Sequence, residues 1–85
     1  MTLQQLRYVT AIAESGTLSA AARRFYIAQP SLTASLRELE EELGIQFFVR
    51  SNRGVEFTPE GKEFLGYAVS LLEQKQRIES LYGES

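Results

Sequence analysis

The 85-residue chain has no cysteine, no histidine and no aspartate. Without cysteine, disulfides and thiolate metal sites are excluded. Without all three residue types, the usual nucleophile–base pairs and most metal sites cannot be assembled. The eleven acidic residues are all glutamates. They fall on expected solvent faces, so a fragment of an enzyme is a weak reading, and no cofactor is expected. The N-terminus lacks the basic-then-apolar pattern of a signal peptide, and no apolar run is long enough to span a bilayer. These features predict a cytoplasmic protein with no membrane partner.

What is present fits one small domain, or a piece of a larger protein. The hydrophobic content of 44% argues against disorder. A chain of this length buries only roughly 60–65% of its unfolded surface, so it needs tight packing or a partner copy. The net charge is −2, which at first sight speaks against a nucleic-acid ligand. The distribution says otherwise. No acid occurs from Ser15 to Arg37, a stretch that carries Arg23, Arg24 and Arg37, and none occurs between Ile45 and Val55, where Arg50 and Arg53 lie. The acids gather at Glu38, Glu40, Glu41 and Glu42 and again from Glu56 onward. A local positive face is therefore expected beneath an acidic total.

Leu3, Leu6, Val9, Ile12 and Ala13 recur at helical spacing and predict an amphipathic helix to about residue 14, capped by Thr2 and stopped by Ser15-Gly16. Thr17 is the expected cap of a second helix over about 18–26, rich in small alanines that allow close, steep crossing. A third helix begins near Gln29 or Pro30, since proline is favoured at a helix start. Leu32, Leu36, Leu39 and Leu43 give it a buried stripe, and Gly44 ends it. Ser31, Thr33, Ala34 and Arg37 lie off that stripe. Phe47–Arg50 and Val55–Thr58, rich in β-formers, flank the turn residues Ser51-Asn52-Arg53-Gly54 and predict a two-strand hairpin. Thr58-Pro59-Glu60 opens a long helix to about residue 81. Along it Phe64, Ala68, Leu71, Ile78 and Tyr82 form a coiled-coil-like seam if Lys75 interrupts it. With Leu65 and Leu72 added, the apolar face exceeds what the domain covers alone. Gly83-Glu84-Ser85 has the look of a linker start. There is no internal repeat.

The fold class is thus mainly α: a winged helix-turn-helix of three helices and a two-strand wing, over residues 1–58, with the helix-turn-helix at about 18–37. A dimerisation or linker helix follows over 59–82. The third helix opens with a slim polar end, which suits insertion into a DNA major groove.

The ordered run Ala21-Ala22-Arg23-Arg24-Phe25, Gln29-Pro30-Ser31-Leu32-Thr33, Leu36, Leu39-Glu40, Leu43-Gly44, Phe48-Val49-Arg50, Arg53, Phe57-Thr58 and Gly61 strongly resembles the N-terminal domain of LysR-type transcriptional regulators. The resemblance covers Met1 to about Gly61, and the helix beyond it looks like that family's linker helix. It implies a bacterial regulator that binds an imperfect promoter palindrome in double-stranded DNA as a homodimer. It also implies a C-terminal domain, absent from this chain, that senses a small-molecule effector, and a full-length tetramer. Phe25 and Phe48 stand where leucine is usual, Ala28 where serine or threonine commonly precedes Gln-Pro, and Ala34 where many members carry a long polar or basic side chain.

The candidate DNA contacts are Gln29, Pro30, Ser31, Thr33, Ala34, Arg37, Arg50 and Arg53. The Gln29 amide suits adenine, and Pro30 a thymine methyl. Ser31 and Thr33 suit a base edge or a phosphate. Arg37 either meets DNA or pairs with Glu40 or Glu41. Arg53 and Arg50 flank the wing turn, where arginines enter the minor groove or clamp phosphates, although Arg50 has the alternative of bracing the fold. Of Arg23 and Arg24 at most one faces DNA. Thr17 and Ser19 are better suited to capping than to phosphate, and Tyr26 is either a phosphate donor or a partly buried ring. The candidate dimerisation residues are Phe64, Ala68, Leu71, Leu72 and Ile78. A rival class is a helical module that binds a partner protein, favoured by the acidity and by the open face of the last helix.

Overall fold

The computed structural model describes residues 1–83; Glu84 and Ser85 of the expected linker lie outside the described residues. The elements in order are α1 (Leu3–Ser15), α2 (Leu18–Arg24), α3 (Gln29–Leu43), β1 (Phe48–Ser51), β2 (Gly54–Phe57) and α4 (Pro59–Tyr82). The fold is the expected one: mainly helical, with a two-strand antiparallel wing and a 24-residue final helix.

Local chemistry sets most of the boundaries. Thr2 and Gln5 form a reciprocal capping box at the start of α1. Gly16 ends that helix in the left-handed conformation, φ 82°. Thr17 caps α2 through the Ala20 N–H, and Thr58 caps α4 through the Gly61 N–H. Gly44 ends α3, again left-handed. The wing register pairs Phe48 with Phe57 and Ser51 with Gly54. The strands lie one residue later or earlier than expected, because Phe47 and Thr58 leave the ladder for other bonds.

α2 is shorter than the sequence predicts. It stops at Arg24, not Tyr26. The Ile27 N–H bonds to the Ala22 carbonyl and the Tyr26 N–H to the Arg23 carbonyl, which is the Schellman arrangement. Its left-handed position is filled by Tyr26, φ 56°, where glycine is usual. With no glycine there, the stop carries no compositional signal. The Tyr26 ring is 96% exposed, so the partly buried alternative does not hold.

The core is Val9, Ala11, Ile12, Leu18, Ala21, Ala22, Leu32, Leu36, Leu39 and Phe47. Tyr8 meets Phe25 edge to face at 4.9 Å on its flank. The apolar stripes are slightly rephased from expectation. Ala11 is buried while Leu3 and Ala13 are exposed, and Leu43 is open at the end of its stripe. Gln5 crosses from α1 to donate its amide to the Ser35 carbonyl, 3.0 Å.

Phe47 joins α3, the wing and α4. Its ring is fully buried and lies 4.6 Å from that of Phe64. Its N–H donates to the Glu40 carboxylate, 2.8 Å. Its carbonyl accepts the Thr58 N–H at 2.9 Å and a longer contact from the Thr58 hydroxyl, 3.3 Å. Gly61 packs on the same carbonyl so tightly that a Cβ there would stand 1.9 Å from the oxygen. The wing is tied to the body at a second point. The Val55 N–H donates to the Gly16 carbonyl, and Gly54, φ 114°, leaves no room for a Cβ against that oxygen.

Glu40→Ala, which orphans a part-buried N–H, is expected to destabilise the fold by about 1–3 kcal/mol, with Glu40→Gln costing distinctly less; denaturant midpoints measure both. Tyr26→Gly is expected to stabilise by up to about 1 kcal/mol, as relief of left-handed strain outweighs the added freedom of the unfolded chain. A lowered melting temperature for Tyr26→Gly would contradict that balance.

Candidate nucleic-acid interface

The site is built on the leading end of α3. Ala28 precedes the helix and offers no side-chain cap. The positive end of the helix dipole is therefore left for solvent or an anion. Gln29 begins the helix, and its amide oxygen accepts the Ser19 hydroxyl at 2.9 Å. Its amide nitrogen has no partner among the hydrogen bonds of the described residues. Ser19 is thus a positioning residue for Gln29 rather than a cap, and the cap of α2 is Thr17 alone. The sequence offers no periodic signal for this pairing, because it joins two helices across a corner.

From half-buried Gln29 the face continues through Pro30, Thr33, Ala34 and Arg37, which recur at three- and four-residue steps and share one side of the helix; Thr33 is half-buried and the other three are exposed. With Arg50 from the wing they line an open groove of about 560 Å³. Arg50 follows Phe48 by two residues, so both project from the same strand face. Phe48 tilts against Phe57, with centroids 6.0 Å apart. Arg50 also lines a second depression with Thr17, Ser19, Gln29 and Ser51, and a third with Thr33, Arg37, Glu40 and Gln46. Of the candidate residues, six meet here. Ser31 is exposed but off the groove, about 100° around the helix from Pro30. Arg53 is exposed in the wing turn and lines no part of the groove; its N–H bonds to the Ser51 hydroxyl.

Arg24 pairs with Glu14 at 2.8 Å and is occupied, while Arg23 is exposed. Among the described residues, Arg23, Arg37, Arg50 and Arg53 take part in no ion pair. Arg37 in particular does not pair with Glu40, whose carboxylate is held by the Phe47 N–H. Among the same residues no three acidic side chains converge to hold a metal ion, and no helix is long and apolar enough to cross a membrane.

The dimerisation candidates divide. Ala68 is fully buried within the chain, and Phe64 is half-buried against Phe47. Leu72 borders depressions that it shares with Arg7, Thr10 and Ala11 of α1. Leu71 and Ile78 are 46% and 57% exposed, in company with Tyr67, Leu81 and Tyr82. The open stripe is therefore 67, 71, 78 and 81–82. Gln74 is its polar interruption, whereas Lys75 is partly covered and paired with Glu79.

A three-helix body, an open polar helix end and an arginine-bearing hairpin beside it define a winged helix-turn-helix DNA-binding domain. The family model for the bacterial regulatory helix-turn-helix protein, lysR family, matches residues 3–62. The chain belongs to that family. It is 49% identical over 72 residues to the HTH-type transcriptional regulator ClcR of Pseudomonas putida, covering 85% of this chain and 24% of that one. It is 43% identical over 81 residues to the regulator BenM of Acinetobacter baylyi, covering 95% of this chain and 27% of that one. The chain thus spans about a quarter of the length of these curated relatives. Among solved structures it resembles a complex of the BenM DNA-binding domain with benA site 1 DNA. That match has a TM-score of 0.90 and 43% identity, over 95% of this chain and 91% of that one. It also resembles a complex of the CbnR DNA-binding domain with DNA, with a TM-score of 0.88 and 40% identity, over 94% and 92%.

Proposed function

We propose that this chain binds a promoter palindrome as a homodimer, with α3 in the major groove and the wing on adjacent backbone or minor groove, and that it is not an enzyme. The observation that carries this reading is the groove between α3 and the wing. Two unpaired arginines, the amide of Gln29 and an uncapped helix end share it. Such a set of donors suits the phosphates and base edges of a duplex. The DNA-bound domains that this fold resembles support it further.

The domain boundary in this reading lies at Thr58: a DNA-binding unit over 1–58 and a linker and dimerisation helix over 59–82. The open stripe on α4 supplies the dimer contact through Leu71 and Ile78, and pairing it with its copy sets the spacing of two recognition helices. Phe64, Ala68 and Leu72 serve instead to fix α4 to its own domain. In the whole protein a C-terminal effector-sensing domain follows, and the protein acts in the cytoplasm. The length of the relatives, about four times the matched segment, supports the missing domain. Affinity comes chiefly from the free arginines and helix ends at phosphates, so it falls as salt rises.

Gln29→Ala and Arg53→Ala are expected to weaken an electrophoretic shift on a palindromic promoter fragment. Each lost hydrogen-bonding or charge contact is worth about 1–3 kcal/mol. Unchanged shifts for both variants would overturn the site assignment. Leu71→Glu and Ile78→Glu are expected to leave the fold intact and shift sedimentation from dimer to monomer; Ala68→Glu is expected to unfold the chain instead. A persistent dimer in both of the first two variants would remove α4 as the interface.

A further inference from the structure

We propose that Arg37 reads a guanine within each half-site, and that Ala34 keeps the path to it open. The proposal rests on the DNA-binding reading above and names one of its specificity contacts. Three observations support it.

The first is that Arg37 is uncommitted in a setting that favours pairing. Glu38 is its neighbour, and Glu40 and Glu41 follow at three and four residues, where helical ion pairs usually form. Yet Arg37 joins no ion pair among the described residues. Glu40 is withdrawn from it by the Phe47 N–H.

The second is position. Arg37 lines the same groove as Gln29, Pro30, Thr33 and Ala34. Side chains of this line face the floor of a major groove that receives α3, where the base edges are; phosphates form the walls. Arg50, on the hairpin beside the helix, borders the groove from the wing side and suits a wall phosphate.

The third is reach. A long helical side chain leans toward the helix N-terminus over the residues three and four before it. For Arg37 these are Ala34 and Thr33. Ala34 is exposed and contributes only a methyl group, so the guanidinium is free to travel toward the leading end of α3. Its planar fork donates only, and the matching major-groove edge is the paired acceptors O6 and N7 of guanine. Adenine presents a donor at the equivalent place and is a poorer match.

The test is selection of duplexes from a randomised library by the chain itself, compared with Arg37→Ala and Arg37→Gln. The wild type should enrich one guanine per half-site that both variants cease to prefer, while the preferences at other positions persist. Replacing that guanine by 7-deazaguanine removes N7 and leaves O6; it should weaken wild-type binding roughly tenfold, the loss of one of the two hydrogen bonds of the bidentate contact, and leave Arg37→Ala little changed. Base preferences that Arg37→Ala leaves intact would overturn the proposal. So would a loss in Arg37→Gln that is uniform across sequences and lowers the salt slope by about one, since that marks a phosphate contact. In either of those cases the DNA-binding reading stands. Failure of the wild type to enrich any sequence would instead overturn that reading, and the proposal with it.

Discussion

The placement of the wing depends on how the chain is held at Phe47. A buried aromatic ring there sits on Phe64, and its own peptide groups are taken by Glu40 on one side and Thr58 on the other. The three bonds and the ring contact join the end of α3, the root of the hairpin and the start of α4 within a few ångströms. Gly61 is the counterpart of this arrangement, because any side chain there would collide with the Phe47 carbonyl. The second tether, between Val55 and Gly16, stops the hairpin from swinging about the first. With both in place, Arg50 has a fixed position relative to Gln29 and Arg37, and a groove exists rather than two independent surfaces.

The electrostatics follow from the same economy of side chains. All five charges on α3 lie from Arg37 onward, and the first two turns carry none. Acids near the C-terminal end of a helix are unfavourable to its dipole, yet one of them, Glu40, is used structurally and so is removed from competition for Arg37. The net charge of −2 therefore says little about the surface that matters. An acidic total and a locally cationic groove coexist because the arginines and glutamates are sorted along the helix and between elements.

Much of the fold was legible because its punctuation is local. Thr2, Gly16, Thr17, Gly44 and Thr58-Pro59 each act through hydrogen bonds or dihedral angles within a few residues, and each element boundary that they set fell within a residue or so of expectation. The exception, the end of α2, comes where a tyrosine occupies a glycine's conformation. The site was legible in part for the same reason. The residues of α3 share a face by helical period, but the bond between Ser19 and Gln29 and the withdrawal of Glu40 are tertiary facts with no local trace. Periodicity likewise revealed that α4 has more apolar surface than one side can hide. It does not tell which side α1 covers, so the period groups Ala68 with Leu71 although Ala68 is fully buried and Leu71 is open.

α4 runs without a break from Pro59 to Tyr82, and no proline or bulge interrupts it past its first turn. At 1.5 Å per residue its 24 residues extend roughly 36 Å. Its base is clamped to Phe47, the same point that anchors the hairpin. The helix is accordingly a stiff lever with its fulcrum beside the groove. A torque applied near Tyr82 would meet no hinge on its way down the helix, first to Leu72 beside α1 and then to the clamp at the root of the wing.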